Sequence, residues 1–420
     1  MKFTKLSLVA MLLVGSSAFA IENVKVSGDT KFFYSTQDNT YDSSYTKNER
    51  TGLFDQSTSI GEASLSVGVT ADLTKGISAG ATLSGITTLG LQNNVVGGTF
   101  TGNLQSNSWF NEAWLAGTTG KTTGKVGRMQ LDTPLVFSET WSVLPSTFEA
   151  AVLINQDIPD TTIVAAFVGK SNNNAVLGGG YGDNGTDARN NVFQSFYKGA
   201  YTVGIQNNSY EPLEVQAWYY SANIDANATA TQNISGLQSY WLQADLNMKG
   251  ILAGVQYTAT NYDYTNKSDN NAFAVMLGYD KKDVVTVKGS YSQIGKDSVN
   301  SKGAGANLAG SQSKLYTEVW WYYGKITQND TSAFNVTVTA PLAGYDLGLY
   351  YTQAITKDGF NSGGADATFV EVTFEVAKSF GPLDTGLYYI YIKSDNDNQK
   401  SATDKGEAYN TVQVYLTYNF

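Results

Sequence analysis

The chain of 420 residues has no cysteine, no histidine and only 6 prolines. Without cysteine there can be no disulfide, no thiol nucleophile and no lipidated N-terminal cysteine. Without histidine the commonest general base and the commonest metal ligand are missing, which removes most hydrolase and metalloenzyme designs. No enzyme activity, no cofactor and no resident metal are expected. Long hydrophobic runs are also lacking. Beyond residues 6–14, no apolar stretch approaches the ~20 residues of a transmembrane helix. Positive charge is scarce: 27 Lys and Arg stand against 37 Asp and Glu, a net charge of −10. Nucleic acid is therefore not an expected partner. The acid in the polar loop segments, such as Asp395 and Asp397, reads either as solvated surface or as a mild preference for cations at a pore mouth.

What is present is aromatic and patterned. Phe, Trp and Tyr make up 13% of the chain, with 27 Tyr, alongside 42 Gly. Near the C-terminus, Val412, Val414, Leu416, Tyr418 and Phe420 alternate with Gln413, Tyr415, Thr417 and Asn419. This strict period of two gives one greasy and one wet strand face, running to a terminal aromatic. It predicts the closing strand of a transmembrane β-barrel, which can leave no open edge in lipid. At the other end, Lys2 and Lys5 precede an apolar core, and Ala18-Phe19-Ala20 forms a small-x-small cleavage site. Residues 1–20 read as a secretory signal peptide, leaving 21–420 as one barrel domain.

The interior repeats one design, an alternating strand, a tight turn and a second alternating strand. Ala63, Leu65, Val67, Val69, Ala71 and Leu73 form one apolar row; after Thr74-Lys75-Gly76, Ile77, Ala79, Ala81 and Leu83 form the next. The pattern returns from Tyr240 to Met248, turns at Lys249-Gly250, and resumes at Ile251, Ala253, Val255 and Tyr257. Long polar stretches at 171–191, 221–239, 261–271 and 393–407 separate these hairpins. Short turns alternating with long loops predict periplasmic turns and extracellular loops. With both ends in the periplasm the strand number must be even. A naive count of nineteen therefore moves Leu315 to Gly324 out of the wall and into one long outer loop, 292–330. The fold class is all-β, an antiparallel transmembrane barrel of about 18 strands.

The faces opposite the apolar rows should look inward. Lys25, Ser27, Asp29 and Lys31 lie opposite Val24, Val26, Phe32 and Tyr34. Elsewhere the inward face carries Glu112, Glu214, Gln216, Gln243, Asp245, Asn247, Lys288, Asp346, Glu371 and Glu375. Unpaired charge is costly in a packed core, so a water-filled, charge-lined channel explains the pattern. Two motifs are discounted. Gly180, Gly182 and Gly185 satisfy G-x-G-x-x-G, but no helical stripe follows, as a nucleotide site needs. Asp395 and Asp397 resemble the start of a calcium loop, but Lys400 and Gly406 stand where the turn glycine and the bidentate glutamate belong.

One segment carries a family resemblance. Val126-Gly127-Arg128-Met129-Gln130-Leu131-Asp132-Thr133-Pro134-Leu135, followed by Trp141-Ser142-Val143-Leu144-Pro145-Ser146-Thr147-Phe148-Glu149, resembles the "GRQ-x-LDTP … LLP-x-TFEG" region of OprD-like porins of the Opr family. Residues 24–34 and the terminal Phe420 are similar to the major outer-membrane porins of Campylobacter-like bacteria. The resemblance implies an 18-stranded Gram-negative outer-membrane channel, often a homotrimer, whose third and seventh outer loops, 131–147 and 292–330, fold inward as a constriction. It also implies a basic ladder, matched by Arg128 and, more weakly, by Lys125. Met129 and Ala150 depart from the motif, and Glu112, Glu371 and Glu375 dilute any positive track. Alternation from a lipid-facing Val126 would also send Arg128 to lipid; a bulge, or the strand leaving the membrane after Val126, would resolve this, and the second is expected because Asp132 and Pro134 already signal a loop.

The reading is a porin that passes ions and small hydrophilic solutes by diffusion, with a mild preference for cations. Arg128, Lys125, Glu112, Asp132, Lys31, Lys25, Asp29, Lys288, Glu371 and Glu375 are the expected lining. Lipopolysaccharide and outer-membrane lipid are expected partners, as is the barrel-assembly machinery through the C-terminal strand. One alternative is an OprD-type uptake channel selective for small carboxylates, amino acids or peptides. Another is a non-conducting structural barrel or adhesin.

Overall fold

A computed structural model describes residues 21–38, 51–97, 106–172, 193–223, 236–263, 269–296, 303–357, 366–395 and 408–420. The signal peptide, the glycine motif at 180–185 and the acidic motif beyond Asp395 lie outside these residues. The strands are β1 (Glu22–Gln37), β2 (Ser59–Thr74), β3 (Ile77–Thr87), β4 (Ser106–Thr119), β5 (Thr122–Met129), β6 (Phe148–Asn155), β7 (Thr161–Ser171), β8 (Gln194–Tyr210) and β9 (Leu213–Asn223). They continue as β10 (Gly236–Met248), β11 (Ile251–Asp263), β12 (Asn270–Lys281), β13 (Val285–Ile294), β14 (Thr331–Leu342), β15 (Tyr345–Thr356), β16 (Ala367–Phe380), β17 (Leu383–Asp395) and β18 (Tyr409–Asn419). Each pairs antiparallel with its sequence neighbours, and β1 pairs with both β2 and β18, so the 18-stranded sheet is closed. The stretch from Leu315 to Gly324 is not part of the wall, as parity required.

The period of two decides which side each residue takes. Leu65, Leu242, Val255 and Leu277 remain 50–70% exposed on the outside. A band of large apolar side chains around a closed sheet suits lipid, where every backbone polar group must be satisfied within the wall. The opposite face holds Ser27, Asp29, Lys31 and Phe33 on β1, with Gln413, Tyr415 and Thr417 facing the same lumen on β18. Tight turns connect the strands at one end. At 249–250 and 343–344 both central residues have positive φ, the I′ pattern whose twist matches a hairpin.

The seam between β1 and β18 is formed as the alternation predicted. Val412, Val414, Leu416 and Tyr418 pair with Thr36, Tyr34, Phe32 and Thr30. Phe420 exchanges both backbone hydrogen bonds with Gly28, each 2.9 Å. Its ring lies over Gly28, where a Cβ would come within 2.5 Å of the ring and 2.3 Å of the Ser66 carbonyl. Glycine is required there by close approach rather than by backbone angle.

Candidate functional site

Among the described residues, two of the long connections turn into the barrel. Residues 130–147 join β5 to β6 and are called L3; residues 295–330 join β13 to β14 and are called L7. Their composition explains why. Leu135, Val136, Phe137, Val143 and Leu144 in L3 are buried, as are Leu308, Leu315, Val319 and Ile326 in L7. These side chains could not be solvated as an exterior loop. Leu135, Val136 and the four L7 residues cluster instead with inward residues of the wall, including Trp241, Ala274 and Ile392, while Val143 and Leu144 pack with Phe33, Ile86 and Trp109.

Carboxylates hold the plug together. Glu139 of L3 is buried, and its Oε1 accepts the N–H groups of Ser311 and Gln312 of L7 at 2.6 and 2.7 Å and Asn307 Nδ2 at 3.2 Å. Its Oε2 accepts Trp141 Nε1 at 3.2 Å. Glu371 on β16 is buried under L7 and accepts three consecutive N–H groups, from Trp320, Trp321 and Tyr322, at 2.7–3.0 Å. Glu318 accepts from Ser313 and Val319 within L7. Burial pushes the Glu318 carboxyl up to about 8, with Glu371 and Glu139 adding to the rise. On the other side, Glu62 of β2 accepts the Ser142 hydroxyl at 2.6 Å, and from β18 Tyr415 donates to the Trp141 carbonyl at 3.0 Å. Glu139, Glu371 and Glu318 each accept two or more N–H groups of a loop backbone that has no ladder partner, which is what an irregular segment inside a barrel needs.

Two cavities flank the plug, and Thr140 lines both. One, of about 240 Å³, lies between L3 and the β1–β4 wall and is polar: Asp29, Lys31, Ser66, Thr82, Glu112 and Gln130 line it. The other, of about 510 Å³, lies against the β16–β18 wall and is aromatic: Trp141, Trp320, Trp321, Tyr388 and Tyr415 line it, with Glu318 and Asp384. There Trp320 stacks between Tyr350 and Tyr388, with centroids 4.8 and 5.0 Å away. Both tyrosine hydroxyls donate to Glu375, at 2.6 and 3.0 Å.

The residues expected from sequence fall into separate groups. Asp29, Lys31 and Glu112 share the polar cavity; Lys31 Nζ is 3.8 Å from Asp29. Lys125 lies beside them, with its Nζ 4.1 Å from the Trp114 ring centroid and within the field of Glu112. Lys25 is on the inward side near the start of β1, and Lys288 is inward on β13, against Gly278. Asp132 pairs with Lys314, linking L3 to L7, and its side chain is 85% exposed. Glu375 is the anchor of the two tyrosines. Glu371 is inward but covered, and its hydrogen bonds run to the L7 backbone rather than to a cation.

Arg128 requires a correction. The strand was expected to leave the wall after Val126, but β5 continues to Met129, with Arg128 opposite Glu149 of β6. Alternation therefore keeps Arg128 on the side of Val126, which is 52% exposed. Its Nη2 is 2.7 Å from Glu149, and its Nη1 donates to the Phe110 carbonyl of β4 at 2.5 Å. The guanidinium thus joins β4 to β6 across the gap left where the chain turns inward at Gln130, and the Phe193 ring covers it at 3.6 Å. Gly127 permits this close packing: at φ +125° its Cβ would come 2.3 Å from the Ala113 carbonyl.

Sequence reasoning missed Glu139, Glu318 and Glu62 as loop anchors, together with the aromatic cavity. The available signal was composition. Leu135-Val136-Phe137 and Trp320-Trp321-Tyr322-Tyr323 are too apolar for exterior loops, and an acid beside such a run has backbone N–H groups to satisfy.

No family model matches the chain, and no curated relative matches it by sequence. Solved structures do. Pseudomonas aeruginosa OccK8 (OprE) is 14% identical with a TM-score of 0.70, covering 96% of this chain and 99% of its own. A BenF-like porin from Pseudomonas fluorescens Pf-5 is 13% identical with a TM-score of 0.71, covering 95% and 99%. Pseudomonas aeruginosa OpdK, solved with vanillate, is 10% identical with a TM-score of 0.69, over the same shares. The OprD-like resemblance read from residues 126–149 and the architecture of these porins agree, and at such identities what the chain shares with them is the fold.

Proposed function

We propose that the chain is an outer-membrane porin, a passive channel for ions and small hydrophilic solutes with a mild preference for cations, catalysing no reaction. The observation that carries this is the lumen. Two loops narrow a closed barrel from within, and the polar cavity left beside them has Asp29 and Glu112 around its one cation, Lys31. Asp245, Asp346, Glu375 and Asp384 add acid elsewhere on the inward face. The lysines Lys25, Lys31, Lys125 and Lys288 form no continuous track, and Arg128 is held in the wall. This thin positive series argues against a channel built for carboxylates. Fixed charge beside a narrowed passage biases which ions enter.

A homotrimeric state, contact with lipopolysaccharide and insertion by the barrel-assembly machinery through β18 belong to the same reading. Purified protein in planar bilayers should give stepwise currents in potassium chloride, with a reversal potential in a salt gradient on the cation side. No current would reject the porin reading in favour of a structural barrel or adhesin.

The aromatic cavity favours a second reading, a channel selective for one solute class, as in an OprD-type uptake channel. Current that saturates with a single class of solute would support it over a general pore.

A further inference from the structure

We propose that the aromatic cavity beside the plug is a binding subsite for organic cations of the quaternary-ammonium type; this rests on the channel reading above. Trp141, Trp321, Tyr388 and Tyr415 surround a space of about 510 Å³, which is within the range of small-molecule sites, about 300–1,000 Å³. No Lys or Arg is among its lining residues.

Acid is present and held. Asp384 Oδ1 accepts the Ser379 hydroxyl at 2.6 Å and its Oδ2 accepts Asn419 Nδ2 at 2.9 Å. Both donors are neutral, so they orient the carboxylate without cancelling its charge. Glu375, which does not itself line the space, is held in the same way by the hydroxyls of Tyr350 and Tyr388. A phenol that donates to a carboxylate has a more electron-rich ring, which strengthens its attraction for a cation.

The rings are also fixed in place. Tyr388 is stacked on Trp320 and meets Tyr415 edge-on at 5.4 Å, and Tyr415 is tied through its hydroxyl to L3. A pre-organised set of rings loses little freedom when a ligand enters. The chemistry selects among cations. Potassium keeps its water and gains little from a ring face, whereas a quaternary ammonium is weakly hydrated, carries an apolar shell and suits an aromatic cage. The polar cavity across Thr140 also carries acid, Asp29 and Glu112, but Lys31 stands among it and no aromatic ring lines it, so it offers the apolar shell of such a group no cage.

The experiment uses the purified full-length protein in planar bilayers, with choline added to one side and its uncharged carbon analogue, neohexanol, as the control. Choline should produce current noise whose dwell time is at least about threefold longer than with neohexanol, the size expected of one or two cation–π contacts. Tyr388→Leu should remove most of that difference, and Asp384→Asn should reduce it. The wild-type comparison stands even if a variant fails to assemble. Normal potassium chloride currents with indistinguishable choline and neohexanol dwell times would overturn this inference alone. So would glucose dwell times that depend on Tyr388 while choline shows none, since these would mark a sugar-stacking surface. Absence of any potassium chloride current would overturn the channel reading and this inference with it.

Discussion

The two cavities of the lumen are lined by opposite chemistries. Against β1–β4 the loop L3 is tied by Val143 and Leu144 packed with Phe33, Ile86 and Trp109 and by polar contacts, Ser142 to Glu62 and Asn111 to the Pro145 carbonyl, and the cavity that remains is hydrophilic. Against β15–β18 the loop L7 is tied by stacked rings and by Glu371, and the cavity that remains is aromatic. The same alternating wall serves both. The difference comes from what occupies the inward positions, Ser27, Asp29 and Lys31 on one side and Tyr350, Tyr388 and Tyr415 on the other. An inward-folded loop is therefore placed by the wall residues it meets, and its acids fasten it there.

The largest expected effect comes from releasing the aromatic side. Glu371→Ala strands three N–H groups of L7 in a buried setting, at a cost of about 1–3 kcal/mol for each one left unsatisfied. Single-channel conductance should rise and open-channel noise increase, while Glu371→Gln, which still accepts, should change less. Next is the polar side. Removing two lumen charges in an Asp29→Asn, Glu112→Gln double variant should lower the potassium-to-chloride permeability ratio about twofold or more, given an attraction of about 1 kcal/mol per charge at close range in water. The loops should stay in place, so conductance noise is the internal control.

A smaller effect follows from pH. Glu318 has its carboxyl raised from 4.5 to about 8 in the folded protein. Between those values the folded state binds more protons than the unfolded one, so L7 loses stability as pH rises from 4.5 towards 8 and little beyond. Open-channel noise should grow over that window and flatten above it, and Glu318→Gln should weaken the dependence. The smallest effect is expected at the exposed link between the loops. Lys314→Ala breaks an ion pair whose acid, Asp132, is 85% exposed, so the change should stay under about 1 kcal/mol and leave conductance unaltered.

Much of this was legible in the sequence. Period-two rows such as Ala63 to Leu73 fixed the strands, and parity moved Leu315 to Gly324 out of the wall. Asp29, Lys31 and Glu112 were readable as inward because a wet face opposite a greasy one has only the lumen to look into. The plug's fastening was not legible. Glu139 and Glu371 are 232 residues apart in number, and they meet L7 only after two loops have folded inward, which no local pattern encodes. Arg128 misled for the converse reason. A motif match suggested a lumen role, whereas pairing across β4, β5 and β6 decides its side.

The most direct test of an acidic, loop-narrowed lumen is the reversal potential of the purified wild-type channel in a potassium chloride gradient. A potential on the potassium side, shrinking in the Asp29→Asn, Glu112→Gln variant, is the expected result. A potential on the chloride side would contradict it.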